Sequence, residues 1–117
     1  MLALHSGMRI FMAATPTDMR KGFDGLYGLV TSVLEQDPLS GHLFLFINRR
    51  CDKLKIPYWD GDGLAIWYRR LEQGTFQLPK ISDGQKHVEI RSDELVMLLR
   101  GIDLTRVRRR KRFALAG

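Results

Sequence analysis

Three apolar runs follow one another between residues 43 and 71 with very little chain between them, and that spacing constrains the fold more than any other feature. Leu43-Phe44-Leu45-Phe46-Ile47 is continuously apolar, as expected of a strand covered on both faces. Lys53-Leu54-Lys55-Ile56-Pro57-Tyr58-Trp59 alternates with period two, and Leu64 to Leu71 reads as a third strand. The links, Asn48 to Asp52 and Asp60-Gly61-Asp62-Gly63, are short and turn-rich, so the chain must reverse at each. The result is an antiparallel three-stranded meander. Pro57 has no N–H to donate, which predicts that its strand is an edge or is bulged at that point.

Other elements gather around this meander. Arg9 to Ala13 is β-branched and aromatic enough for a short strand, and Val88-Glu89-Ile90 for another. Thr15-Pro16-Thr17-Asp18 has the form of a helix start, with Thr15 as cap, Pro16 in the first turn and Asp18 at the capping-box position. Met19, Phe23, Leu26, Val30 and Val33 then form an apolar stripe, and Asp37-Pro38 ends the helix near Gln36. Gly22, Gly25 and Gly28 recur within it although each costs about 1 kcal/mol relative to alanine. Their spacing points first to close packing of helix on sheet, and second to contact with a phosphate or a partner. Ser92 caps a later helix, with Asp93 and Glu94 in its first turn and Gly101 at its stop. The fold expected is α+β: a small antiparallel sheet packed by helices at 16–35 and 93–100. One domain over 8–104 follows, with a flexible leader over 1–7 and a basic, disordered tail over 105–117.

A chain of 117 residues, 44% hydrophobic and 27% charged, fits one soluble domain. Its one cysteine, Cys51, leaves no intramolecular disulfide, and a reducing cytoplasm is the natural setting. The apolar runs near the start are too short for a signal peptide or a membrane span. Charge is segregated. Residues 1–105 hold all 13 acidic residues and as many of the 19 basic ones, so the net +6 belongs to the last twelve residues. A neutral body with a basic arm suits a polyanionic partner.

Several chemistries fail on spacing. Asp60-Gly61-Asp62-Gly63 lacks a third oxygen ligand before its glycine and has Leu71 where a calcium loop needs glutamate, so a hairpin turn is the better reading. His5, His42, His87 and Cys51 have no metal-ligand spacing, and no cofactor is implied. A two-metal nuclease needs converging carboxylates. Asp52, Asp60, Asp62 and Glu72 lie near strand ends, but Glu72 is followed by Gln73-Gly74, not by the acidic–x–lysine element of many nucleases.

The cationic signals are stronger. Arg106, Arg108, Arg109, Arg110, Lys111 and Arg112 are dense enough to contact several phosphates. Arg49-Arg50 falls on a hairpin loop, and Arg69-Arg70 lies in a strand, where at least one side chain faces solvent. Trp59, Trp67 and Tyr68 lie near these arginines, and basic and aromatic residues together stack on bases. Taken one at a time, each aromatic is better read as core.

One run, Thr17-Asp18-Met19-Arg20-Lys21-Gly22-Phe23-Asp24-Gly25-Leu26, resembles the opening signature of the TnpB-type accessory proteins of the insertion-sequence-66 transposon family. The resemblance continues through Asp37-Pro38-Leu39-Ser40-Gly41, Phe44 to Arg50, Trp59 to Gly63 and Trp67 to Phe76, spanning about residues 8 to 104. It implies a non-catalytic accessory protein of a bacterial transposon, encoded beside a larger transposase and needed for efficient transposition. The partners implied are transposon DNA, the transposase and the element's other accessory protein, with no membrane. The body residues expected to meet DNA are Arg20, Lys21, Arg49, Arg50, Arg69 and Arg70, together with the tail. An adaptor that recruits the transposase without specific DNA binding is the alternative. Pro57 and Leu78 depart from the pattern of the family.

Overall fold

The structure, a computed structural model, describes residues 4–100 and the backbone of two short strands beyond them. Five strands build the main sheet: β1 (Ile10–Ala13), β2 (Leu43–Ile47), β3 (Lys53–Trp59), β4 (Leu64–Arg70) and β5 (His87–Ile90). Helix α1 (Phe23–Ser32) joins β1 to β2, and α2 (Ser92–Arg100) follows β5. The strand order is β4-β3-β2-β1-β5. The expected meander is present as β2-β3-β4, and the class is α+β. One pair departs from the antiparallel expectation: β1 and β2 run parallel, with Ile10 opposite Leu43 and Met12 opposite Leu45. The crossover through α1 returns the chain to the same end of the sheet, which is what a parallel pair requires.

Strand alternation sorts the apolar residues onto two faces. On one face Ile10, Met12, Leu43, Leu45, Ile47, Leu54 and Ile56 pack with Leu95 and Leu98 of α2. On the other, Phe11, Ala13, Phe44 and Phe46 pack with Leu26, Val30 and Leu34 of the α1 segment. Every residue of β2 is buried, because both helices cover it. Of the two alternatives that Pro57 offered, an edge strand or a bulge, the first does not hold, since β3 is an interior strand. Its ladder with β2 covers Phe46↔Lys55 and Ile47↔Leu54, so Pro57 lies past it and its missing donor breaks no bond in that register.

The first helix begins later than the sequence predicts. Residues 15–22 are not helical, and the first turn opens with Leu26 N–H donating to Gly22 C=O at 3.0 Å. Four long-range or side-chain bonds outcompete the helix. Thr17 N–H donates to Ile47 C=O, the Asp18 carboxylate accepts from the Arg20 N–H, and the carbonyls of Met19 and Lys21 accept from Lys55. Phe23, placed on the buried stripe by its spacing, is half-exposed at the helix start. The helix ends with Glu35 in the left-handed region (φ 57°) and Gln36 N–H bonded to Val30 C=O. The glycine triplet does not let helix and sheet approach. A Cβ at Gly22 or Gly28 would meet open space, and one at Gly25 would meet the Lys21 side chain at 3.2 Å.

α2 carries its cap one residue before the expected Ser92. Leu95 N–H donates to Arg91 C=O, and the Glu94 carboxylate accepts from the Arg91 N–H at 2.9 Å, closing half of a capping box. Leu4 to Gly7 are exposed, with Met8 N–H donating to His5 C=O. Beyond α2 the backbone of β6 (Ile102–Asp103) pairs antiparallel with β7 (Arg108–Arg109). Met1 to Ala3, and the tail cations Arg106, Arg110, Lys111 and Arg112, lie outside the described residues.

Candidate nucleic-acid interface

The signature segment Thr17 to Gly22 folds down onto the α1 face of the sheet, and Lys55 is the pin that holds it. The Lys55 side chain is buried, and its Nζ donates to the carbonyls of Met19 (2.7 Å) and Lys21 (2.8 Å). The same ammonium sits 4.8 Å from the centroid of the Tyr68 ring on the neighbouring strand. Register places them together, since Lys55 is opposite Tyr68 and Lys53 is opposite Arg70.

Beside this pin, the β2–β3 turn is built by Asn48. Its amide oxygen accepts from the backbone N–H of Asp52 and of Lys53, and its amide nitrogen donates to the Asp52 carboxylate at 2.6 Å. Cys51 takes a left-handed conformation (φ 59°) within it, and burial, then the nearby Asp52 charge, pushes its thiol pKa up. The turn therefore presents Arg49 and Arg50, both exposed, at a fixed place.

Loop, turn and strands together enclose an open groove of about 480 Å³, lined by Thr17, Asp18, Met19, Arg20, Asn48, Arg49, Arg50, Lys53 and Tyr68. Four cations converge on it from separate segments. Arg20 is held by Asp18, whose carboxylate accepts from Nε and from Nη2 at 2.7 Å. Those hydrogen bonds hold the Asp18 carboxyl down at about 2. Arg49, Arg50 and Lys53 make no ion pair among the described residues. Tyr68 also lines the groove and is half-exposed.

The expected site residues thus divide. Arg20, Arg49 and Arg50 meet in the groove. Arg70 faces the same side beside Lys53 but is engaged by Glu72 at 2.9 Å. Lys21 is exposed within the same segment but outside the lining. Arg69 is on the opposite face, stacked over Trp67 at 4.9 Å and donating to Leu99 C=O at the end of α2. Lys53, Lys55 and Tyr68 were not singled out as a group by sequence, although their same-face spacing along β3 and β4 was the available signal.

The acidic residues do not gather. Asp60 accepts from the N–H of Asp62 and of Gly63 within its hairpin turn, Asp52 is bound by Asn48, and Glu72 by Arg70. Among the described residues no three His, Cys, Asp or Glu side chains are grouped to hold a metal ion, and no helix is long and apolar enough to cross a membrane.

Fold and groove together define a small α+β domain that offers an open cationic groove with one aromatic residue in its lining. The chain belongs to the IS66 Orf2-like protein family, whose model matches residues 8–109. It is 41% identical over 110 residues to the uncharacterized protein y4jC of Sinorhizobium fredii, covering 94% of this chain and 92% of that one. It is also 38% identical over 103 residues to the uncharacterized protein y4hO of the same organism, covering 88% of each. No solved structure matches it. Family membership makes it a transposition-associated accessory protein.

Proposed function

We propose that the chain assists transposition by holding transposon DNA against the α1 face of its sheet, without itself cutting or joining it. Arg20, Arg49, Arg50 and Lys53 supply the phosphate contacts. The basic tail (Arg106, Arg108, Arg109, Arg110, Lys111 and Arg112) is a second arm on the same polyanion. One observation carries this reading: cations from separate segments meet in one groove, and three of them are unpaired among the described residues, although residues 1–105 are neutral overall. Local concentration of positive charge, with counterions to release, is what phosphate binding requires. A non-catalytic role is supported by three of the four candidate carboxylates, Asp52, Asp60 and Glu72, each held in a turn or an ion pair.

Combining Arg49→Ala with Arg50→Ala should leave the melting temperature unchanged and sharply lower transposition frequency. Normal transposition by a folded double variant would contradict the proposal. The adaptor reading keeps one supporting observation, the half-exposed Phe23 at the start of α1. Phe23→Ala is the variant that separates the two. Loss of transposase capture with DNA affinity intact would favour the adaptor.

A further inference from the structure

The aromatic residue in the groove's lining points beyond phosphate contact. Tyr68 is 50% exposed, an unusual placement for a large aromatic on a sheet face that otherwise buries Phe11, Phe44 and Phe46. Tyr68 lines the groove, and the buried Lys55 ammonium sits over its ring at 4.8 Å. Lys55 is also fixed by two carbonyls, so the ring rests on a rigid support. Around it stand Arg20, Arg49, Arg50 and Lys53. At about 480 Å³ the groove is of the scale that holds one small ligand group, about 300–1,000 Å³.

A paired base hides both its faces in the stack, whereas an unpaired base presents a face that an aromatic ring will take in water. We infer that this groove binds an unpaired nucleotide of single-stranded DNA, its base stacked on Tyr68 and its flanking phosphates on Arg49, Arg50 and Lys53. The inference rests on the proposed DNA-binding role and specifies which form of DNA the site takes. Asn48, the one amide side chain in the lining, has its oxygen committed to two backbone donors and its nitrogen to Asp52. With its cations engaged by phosphates and the Asn48 amide by the turn, the groove stacks bases without reading their edges, and binding is tolerant of sequence. An acidic peptide would use the cations but leave the ring without a stacking partner.

The test is fluorescence anisotropy with a short labelled oligo-dT, an abasic deoxyribose-phosphate strand of the same length, and a transposon-end duplex. The intact protein should bind oligo-dT about tenfold or more tightly than the abasic strand, the scale of one stacked base. Tyr68→Leu should abolish that difference and Tyr68→Phe should keep it. Arg49→Ala with Arg50→Ala should weaken binding of both strands. Equal affinity of the intact protein for oligo-dT and the abasic strand overturns the inference, and this comparison needs no variant to fold. Tighter binding of oligouridylate, or more effective competition by polyglutamate than by oligo-dT, overturns it as well. If the duplex is still bound in an Arg49/Arg50-dependent way while stacking is absent, the DNA-binding role survives and only the single-strand inference falls. If the Arg49/Arg50 variant binds every ligand as the intact protein does, both fall together.

Discussion

The two faces of the sheet receive the same residue types and use them in opposite ways. Arg69 and Arg70 are consecutive, yet alternation sends Arg69 to the α2 face and Arg70 to the α1 face. On the α2 face the guanidinium of Arg69 is consumed by structure, lying on Trp67 and closing the last turn of α2. On the α1 face the roles are reversed. A lysine is buried to hold a loop, and the arginines brought beside it by that loop and by the β2–β3 turn are left facing solvent. A cation's place in the sequence therefore says little about its use; the face it lands on, and whether a carbonyl waits there, decides.

That contrast can be broken at several points. The largest effect belongs to the α2 side of the core. Leu45→Ala empties a fully buried site beneath α2 and should cost about 2–5 kcal/mol in calorimetric unfolding, with the DNA affinity of the folded protein unchanged. Lys55→Met should cost less, about 1–3 kcal/mol, by stranding the carbonyls of Met19 and Lys21. It differs from Leu45→Ala in a second readout: DNA affinity falls too, because the loop carrying Arg20 is no longer fixed. If Lys55→Met binds DNA normally, the pin does not position the groove. Arg69→Ala should lower stability by about 1–2 kcal/mol through the lost carbonyl bond and the lost stacking on Trp67.

The smallest effect is a titration. In the folded protein the Asp18 carboxyl lies at about 2, below its ordinary value of 3.8, because Arg20 donates to it. A depressed carboxyl stabilises the fold above its unfolded value and loses that contribution as pH falls through the folded one. The Asp18–Arg20 pair should thus persist through mild acid. Carboxyl NMR should find Asp18 titrating at about 2, and Arg20→Ala should move it upward. An unmoved Asp18 would mean that Arg20 is not held in the groove by this pair.

The meander was legible in the sequence because its signals are local: period-two alternation, a continuously apolar centre and turn residues in both links. Pro57 pointed to an edge or a bulge, but an interior strand also tolerates a proline that lies past the end of its neighbour's ladder. The segment from Thr15 to Gly22 departs from its local signals because of distant partners. Thr15-Pro16 with Asp18 is a sound helix start by local chemistry, but the groups that pull the chain out of helix, the Ile47 carbonyl and the Lys55 ammonium, belong to distant strands. Half of the candidate site was visible as arginines. Lys53, Lys55 and Tyr68 become a site only when the β3–β4 register is known, because that register sets the lysine under the ring.

The central claim is that DNA meets the α1 face and not the α2 face, and salt dependence of binding tests it most directly. Affinity for a transposon-end duplex would be measured across a range of salt for the intact protein, for Arg49→Ala combined with Arg50→Ala, and for Arg69→Ala. Each lost phosphate contact flattens the log–log slope by about 0.9, so the double variant should lose about two units of slope while its melting temperature holds. Arg69→Ala should melt earlier and keep the full slope. An unchanged slope in the double variant, or a flattened one in Arg69→Ala, would contradict the account.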